Sequence, residues 1–153
     1  MHIAIAGNIG AGKTTLTGLL AKHYNWDTHF EDVEHNPYLN DFYEDMQRWS
    51  FNLQIYFLNS RFRQILDFNK EGKNIVQDRT IYEDVEIFAK KLHELGNISD
   101  RDYANYSGLF SVMVSYLKKP DLIVYLRAST DTLLNRIETV SYTHLTLPTN
   151  REV

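Results

Sequence analysis

The chain has 153 residues, of which 43% are hydrophobic and 24% charged, with a formal net charge of −4 and no cysteine. This length and balance suit one globular domain with a single core. The acidic balance argues against a general nucleic-acid binder, and the absence of cysteine excludes disulfides, thiol catalysis and cysteine-ligated zinc.

The first half of the chain alternates between strand and helix patterns. Residues 2–6 form a continuous apolar run, typical of a strand buried on both faces in a parallel sheet. The same half predicts a helix over 13–23, a short strand over 28–31 and a mostly helical stretch over 36–69. Gly72 is placed to end that last helix.

The second half continues the same alternation. The predicted elements are a strand over 74–77, a helix over 81–95, a helix from 99 or 100 to about 116, a strand over 122–126 and a helix over 130–137. Buried strands that alternate with helices predict an α/β fold in which helices cover both faces of a parallel sheet. The apolar start is too short to span a membrane and lacks the marks of a signal peptide, so we expect a cytoplasmic protein with no membrane partner.

Residues 7–15, GNIGAGKTT, match the P-loop pattern between a predicted strand and a predicted helix. Glycines let backbone N–H groups turn toward phosphate oxygens, Lys13 supplies a positive charge, and the Thr14 hydroxyl can reach Mg²⁺. The alternative interpretation is a glycine-rich turn that binds no ligand. It does not explain why the pattern lies between a predicted strand and a predicted helix. The residues predicted to hold nucleotide are Gly7, Asn8, Ile9, Gly10, Ala11, Gly12, Lys13, Thr14 and Thr15.

Polar residues also follow two other predicted strands. Asp78 and Arg79 come after the strand over 74–77, at the edge where open α/β sheets bind ligands. An aspartate there can hold Mg²⁺ and an arginine can clamp phosphate, although a helix-capping aspartate explains the spacing equally well. Glu31 ends the strand over 28–31 and could take a proton from an attacking hydroxyl. Alone, Glu31 is more simply a surface carboxylate.

Gln54 and Arg61 lie seven residues apart, and therefore on one face of a helix. Glutamine can read the edge of a base through paired hydrogen bonds, and the neighbouring Tyr56 and Phe57 could stack on a ring. Core aromatics beside a polar rim are the alternative interpretation.

Four blocks of sequence resemble the deoxynucleoside kinase family, and most closely its bacterial deoxyadenosine/deoxyguanosine kinase branch. The blocks are GNIGAGKTT, FEDVEHNPYL, FYEDMQRWSFNLQIYFLNSRF and QDRTIYEDVEIFA. The resemblance runs from about residue 1 to residue 139, in the family's order and spacing. It implies a P-loop fold of three α/β/α layers that uses ATP and Mg²⁺ to phosphorylate the 5′-hydroxyl of a deoxynucleoside, with purines favoured, in nucleotide salvage.

The resemblance also implies roles for single residues. Glu31 matches the catalytic base, Asp78 the acidic residue associated with Mg²⁺, and Arg79 the arginine beside it. The residues matched to nucleoside contacts are Tyr43 at the sugar 3′-hydroxyl, Gln54 at the base, Phe88 stacked on the base, and the pair Arg61 and Asp84 of members that accept purines or deoxycytidine. With Lys13 and Thr14, Arg79 and Arg136 are expected to hold ATP, metal and transition-state charge. Asp32 stands where many relatives have proline, so the turn after the base is expected to differ.

Residues 140–153, VSYTHLTLPTNREV, depart from the family inside its arginine-rich lid, where Val140 and Tyr142 replace arginines. The segment shows no helical period and resembles the translation of a transposon-end sequencing adapter. We therefore expect an incomplete kinase domain over 1–139, without the last strand, lid and terminal helices, and a non-native tail over 140–153. A genuine divergent C-terminus is the alternative. The chain itself is expected to fold marginally and to catalyse poorly.

Three further expectations concern function and partners. A nucleoside monophosphate kinase would need extra basic residues for its acceptor, and no such set is identifiable. A non-catalytic relative would bind nucleotide without forming product. Family members often dimerise through long helices, and the apolar stripe from Trp49 to Ile65 could serve a homodimer, although core packing explains this stripe equally well.

Overall fold

The computed structural model describes residues 1–30 and 35–149, with side chains through residue 139. The strands are β1 (His2–Gly7), β2 (Asp27–His29), β3 (Ile75–Asp78) and β4 (Leu122–Leu126). The helices are α1 (Lys13–Tyr24), α2 (Leu39–Glu44), α3 (Met46–Glu71), α4 (Ile81–Glu83), α5 (Lys90–Glu94), α6 (Asp100–Ser115) and α7 (Thr130–Thr149). A π-helical segment, π1 (Asp84–Ala89), joins α4 to α5.

The four strands form one parallel sheet in the order β2-β3-β1-β4. The chain moves one way along the sheet from β1 to β2 and then returns through β3 to β4. Because parallel crossovers are right-handed, this reversal puts α1 on one face and the later helices on the other. The predicted three-layer α/β fold is confirmed, and the carboxyl ends of β1 and β3 meet beside the start of α1.

Two hydrophobic clusters hold these layers together. The first joins α1 to the sheet through Ile3, Ile5, Ala21 and Val76. The second lies among α3, α4, π1 and α6 and consists of Leu58, Ile65, Ile81, Val85, Ala89 and Tyr106. Each large apolar side chain that is fully buried contributes about 1.5–3 kcal/mol of transfer free energy. On α3, Leu53, Leu58 and Ile65 of the apolar stripe belong to the hydrophobic core, because all three side chains are buried.

The expectation that every strand is buried on both faces is wrong for β4. All six residues of β1 and all four of β3 are buried. In β4, by contrast, Ile123 and Tyr125 remain 51% and 68% exposed. The physical reason is position, because β4 lies at the edge of the sheet and pairs with β1 alone. An apolar run cannot distinguish a central strand from an edge strand.

The long helical stretch predicted over 36–69 is two helices instead. The chain breaks at Asp45, whose carboxylate accepts a hydrogen bond from the Arg48 N–H at 3.0 Å and so caps α3. Asparagine and aspartate favour this position because their oxygens satisfy an unpaired helical donor. Gly72 ends α3 with a φ of 64°, as predicted.

The last helix is longer than predicted. The backbone of α7 remains helical to Thr149, beyond the expected end at residue 137 and into the segment with no helical period. Within the described residues no helix is long and apolar enough to cross a membrane.

Candidate active site

The P-loop links β1 to α1 and depends on backbone conformations that only glycine adopts readily. Gly7, Gly10 and Gly12 have φ values of 148°, 79° and 96°. A Cβ atom on Gly7 would lie 2.7 Å from the Leu126 carbonyl oxygen, so the loop fits against β4 without space for a side chain. The Lys13 ammonium is buried and donates to the Asn8 carbonyl at 2.8 Å.

A pocket of about 750 Å³ opens above the loop. Its lining residues are Gly10, Ala11, Gly12, Lys13, Thr14, Thr15, Leu16, Leu19, Asn135, Arg136 and Thr139. The N-terminus of α1 lines this pocket, which is called the phosphate pocket below, because a helix N-terminus and its dipole favour an anion. Arg136 closes the far side and donates to the Gly10 carbonyl at 3.0 Å. Of the predicted nucleotide-binding residues, Gly10 to Thr15 and Arg136 line this pocket, whereas Gly7, Asn8 and Ile9 do not.

The predicted metal ligands also meet at this pocket. The Thr14 hydroxyl donates to Asp78 Oδ2 at 2.5 Å, which joins the start of α1 to the end of β3. Hydroxyl and carboxylate oxygens are the hard donors that Mg²⁺ prefers, and Mg²⁺ usually takes only one or two protein ligands beside phosphate and water. The described residues contain no cluster of three metal-binding side chains. The Thr14 and Asp78 oxygens fit Mg²⁺ that takes its other ligands from phosphate and water.

Arg79 has a strained backbone at the end of β3. Its φ of 69° lies in the left-handed region, which costs a non-glycine residue of the order of 1–3 kcal/mol. Two bonds hold this conformation: its N–H donates to the Ile5 carbonyl at 2.9 Å, and its carbonyl accepts from Arg61 Nη1 at 3.3 Å. The guanidinium lies 4.4 Å above the Phe88 ring, within the range of a cation–π contact.

A second, largely apolar pocket of about 500 Å³ lies beside the first. Its lining residues are Ile9, Leu39, Phe42, Tyr43, Leu53, Gln54, Phe57, Arg79, Asp84, Ile87, Phe88, Lys91 and Leu92. Four of the five predicted nucleoside contacts therefore share one cavity: Tyr43, Gln54, Asp84 and Phe88. Gln54 is 4% exposed, and its Oε1 has no hydrogen-bond partner among the described residues. A buried acceptor in that state favours a ligand that donates a hydrogen bond.

At two places, in the P-loop and at the end of β3, residues that are adjacent in the sequence lie at different pockets. Gly10 lines the phosphate pocket and Ile9 the apolar one. Similarly, Asp78 accepts a hydrogen bond from Thr14, which lines the phosphate pocket, while Arg79 lines the apolar pocket. Two molecules, one held in each pocket, would therefore meet between the carboxyl ends of β1 and β3.

Arg61 does not line the apolar pocket but lies behind it. Its Nε donates to Asp84 Oδ2 at 2.6 Å, and its Nη1 donates to the Asp78 carbonyl at 3.1 Å. Arg61 and Asp84 are 4% and 2% exposed, so this is a buried ion pair. Removing one partner of such a pair is costly because the other charge stays buried. Asp84 is thereby fixed with its carboxylate at the pocket wall.

The segment π1 was not predicted from the sequence. Its wider turn places Asp84, Ile87 and Phe88 on the same pocket, followed by Lys91 and Leu92 of α5. Single π-helical turns within α-helices are frequent at functional sites because they change which side chains share a face. Helical periodicity alone cannot reveal this, since the spacing it assumes is 3.6 residues per turn.

Burial shifts the pKa of several groups near these elements. Burial raises the pKa of Tyr106, and the negative charge of Asp84 raises it further. The Tyr106 hydroxyl has no partner among the described residues and stays protonated. Desolvation lowers the pKa of His2 and of His29 from 6.5, so both side chains favour the neutral form.

Glu31 lies outside the described residues, so its predicted role as a base stays a prediction. β2 ends at His29, before the expected end of that strand at residue 31. Sequence reasoning missed Glu83, which bonds to Thr80 and to the Gly7 N–H. The signal was present, because a threonine followed three residues later by glutamate is the pattern of a helix capping box.

The fold and the P-loop define a phosphate-binding protein of the P-loop α/β class. The sequence profile described as Deoxynucleoside kinase matches residues 3–145. The chain belongs to the deoxynucleoside kinase family.

Individual relatives support this membership. The deoxyadenosine/deoxycytidine kinase of Bacillus subtilis (strain 168) is 49% identical over 138 residues, which are 89% of this chain and 64% of that protein. The deoxyadenosine kinase of Dictyostelium discoideum is 50% identical over 137 residues, which are 90% of this chain and 56% of that protein. The chain thus spans less than two thirds of the length of either relative.

Solved structures give the same family. The deoxyadenosine kinase of M. mycoides with the products dCMP and a flexible dCDP bound superimposes with a TM-score of 0.81 at 39% identity, over 91% of this chain and 70% of that one. The same enzyme with bound dATP gives a TM-score of 0.79 at 38% identity, over 91% and 71% of the two chains.

Proposed function

We propose that this chain is the nucleotide-binding and acceptor-binding part of a kinase that transfers the γ-phosphate of ATP to the 5′-hydroxyl of a deoxynucleoside, purine favoured, for nucleotide salvage. The observation that carries the proposal is the pair of adjoining pockets. One is built from a P-loop, and the other is apolar with a buried unpartnered Gln54 oxygen and a fixed Asp84 carboxylate. Relatives of this family with comparable sequences are deoxynucleoside kinases.

On the donor side, the P-loop N–H groups and Lys13 would hold the phosphates of ATP. Thr14 and Asp78 would hold Mg²⁺, which when bound neutralises charge on the β- and γ-phosphates. Arg136 lines the phosphate pocket, and Arg79 directly follows Asp78, which bonds to Thr14. Their positive charges would stabilise the transferring phosphoryl group. Support for a nucleotide in this fold comes from the M. mycoides enzyme, which binds dATP and dCTP.

On the acceptor side, the apolar pocket would hold the deoxynucleoside. Phe88 would stack on the base, and Gln54 and Asp84 would accept hydrogen bonds from an exocyclic amine. Apolar residues in their place would leave that amine unpaired, so the pair favours bases that carry an amine. Tyr43, which is 69% exposed at the pocket mouth, would bond to the sugar 3′-hydroxyl.

In the chemical step, the 5′-oxygen forms a bond to the γ-phosphorus as the bond from that phosphorus to the β,γ-bridging oxygen breaks. Glu31 would accept the proton of the 5′-hydroxyl, and ADP leaves with the bridging oxygen. General bases of this kind contribute about 10²–10⁴-fold to the rate.

The test is product formation from deoxyadenosine with ATP and Mg²⁺ by the wild type, by Glu31→Gln and by Glu86→Gln. Glu86 is an exposed carboxylate on π1 and serves as the matched control. We expect Glu31→Gln to lower the turnover about 10²–10⁴-fold and Glu86→Gln to leave it unchanged. Nucleotide binding without product from the wild type would favour a non-catalytic module. Product from a deoxynucleoside monophosphate alone would favour a monophosphate kinase.

Three properties stay predictions: the domain boundary at residue 139 with a non-native tail beyond it, a homodimer, and a cytoplasmic location. Sedimentation of the purified chain measures the second directly.

A further inference from the structure

Glu83 bonds to two loops through the two oxygens of one carboxylate. Its Oε1 accepts from the Thr80 N–H at 3.0 Å, and its own N–H donates to Thr80 Oγ1 at 3.2 Å. Its Oε2 accepts from the Gly7 N–H at 3.3 Å. Glu83 lines neither pocket.

Helix capping explains only the first of these oxygens. A capping box needs one acceptor at the third helical position, and glutamine serves there as well as glutamate. The second oxygen reaches the first residue of the P-loop, 76 positions away in the sequence. A carboxylate satisfies both donors because each of its oxygens is an acceptor, whereas a glutamine side chain has one acceptor oxygen and one donor NH₂ group.

The two bonded loops are the two that separate the pockets. Gly7 opens the P-loop, and Thr80 follows the strained Arg79 directly. Glu83 fixes Thr80 on one side of Arg79, and Arg61 holds the Arg79 carbonyl on the other. The backbone of Arg79 therefore has few alternatives to its left-handed conformation.

We propose that Glu83 is a positioning residue that holds the P-loop and the Arg79 loop at one fixed separation. The catalytic consequence rests on the proposed function, whereas the mechanical link does not. A displacement of about 1 Å between reacting groups can cost about 10²-fold in rate. Glu83 therefore acts on turnover through Gly7 and Arg79, without contacting either substrate.

The mechanical link is tested by amide hydrogen exchange of the full chain without ligand. The variants are Glu83→Gln, Glu83→Ala and the control Ser99→Ala, which removes a comparable cap from α6. In Glu83→Gln we expect exchange of the Gly7 amide to rise roughly fivefold while the Thr80 amide stays protected. In Glu83→Ala both amides exchange faster, and in Ser99→Ala neither changes. Equal exchange at Gly7 in all three variants would overturn the proposal.

The catalytic consequence is tested by kinetics on the same variants. We expect Glu83→Gln to lower kcat roughly tenfold with the KM for deoxyadenosine within about twofold, and to melt close to the wild type because the cap is kept. Ser99→Ala is expected to melt lower with kcat unchanged. If the fall in kcat is proportional to the fall in melting temperature across the three variants, the result contradicts a positioning role. If the wild type forms no product, the proposed function fails, and exchange at Gly7 alone decides the role of Glu83.

Discussion

The two pockets are built from different parts of the chain. The phosphate pocket is made of the glycine-rich end of the P-loop, the first half of α1 and one side of α7. The apolar pocket is made of side chains from α2, α3, π1 and α5, with a buried ion pair behind its wall. Backbone N–H groups recognise any phosphate, whereas side chains select among bases. Under the proposed function, phosphate binding and base selection therefore belong to separate elements.

The largest expected effect tests the ion pair behind the apolar pocket. Asp84→Ala leaves the Arg61 charge buried and is expected to cost about 3–5 kcal/mol of unfolding free energy. At this chain length that lowers the melting temperature by roughly 10 °C. Calorimetry measures it, with Asp100→Ala as the control, because the Asp100 side chain that pairs with His93 is fully exposed to solvent. Such a surface pair contributes about 1 kcal/mol or less. Equal losses in the two variants would show that burial does not distinguish the pairs.

The next effect tests the backbone of the phosphate pocket. Gly7→Ala puts a Cβ atom 2.7 Å from the Leu126 carbonyl at a φ of 148°, so we expect a loss of about 1–3 kcal/mol in stability and weaker ATP binding. Gly108→Ala in α6 meets no atom within 4 Å and is expected to stabilise the chain by about 0.5–1 kcal/mol. Urea denaturation compares the two. We expect the free energy of unfolding to fall in Gly7→Ala and to rise in Gly108→Ala. An unchanged free energy of unfolding in Gly7→Ala would contradict the close fit of the loop.

A third prediction separates specificity from stability in the apolar pocket. Gln54→Leu removes a buried oxygen that has no partner among the described residues, so the folded state is expected to become no less stable. The KM for deoxyadenosine is expected to rise roughly tenfold because the exocyclic amine loses its acceptor. Parallel melting and kinetic measurements check both. A large loss of stability would indicate that Gln54 is a structural core residue.

The smallest effect concerns the sheet that both pockets share. His2 on β1 bonds through Nε2 to Gln77 Oε1 on β3 at 2.7 Å, and burial lowers its pKa below 6.5. The unfolded chain therefore binds more protons below pH 6.5, so stability falls as the pH drops through 6.5 toward the folded-state pKa. His29 acts in the same direction. His2→Gln is expected to flatten the change in urea midpoint between pH 7.5 and 5.5, and His29 accounts for what remains. An unchanged slope would show that His2 titrates normally.

The sequence was sufficient for the parts of the site that depend on local pattern. The P-loop, the strand that ends at Asp78 and the cap at Gly72 all follow from residues within one element. The edge position of β4, the break at Asp45 and the π-helical turn were missed, because each depends on what packs alongside. Glu83 lies between these cases, since its capping pattern is local but its bond to Gly7 is not.

The π-helical segment has a consequence for how this site can change by insertion and deletion. A π-helical turn is an α-helical turn with one residue added, so deleting one residue from Asp84–Ala89 would restore ordinary helix. Because the wider turn takes up the extra residue over about the same total rotation, α5 would keep its orientation relative to Asp84. Lys91 and Leu92 would stay on the pocket wall, and the change would be confined to the side chains of π1 itself, including Ile87 and Phe88. In this segment, a change in length alone alters the apolar pocket locally and leaves the following helix in place.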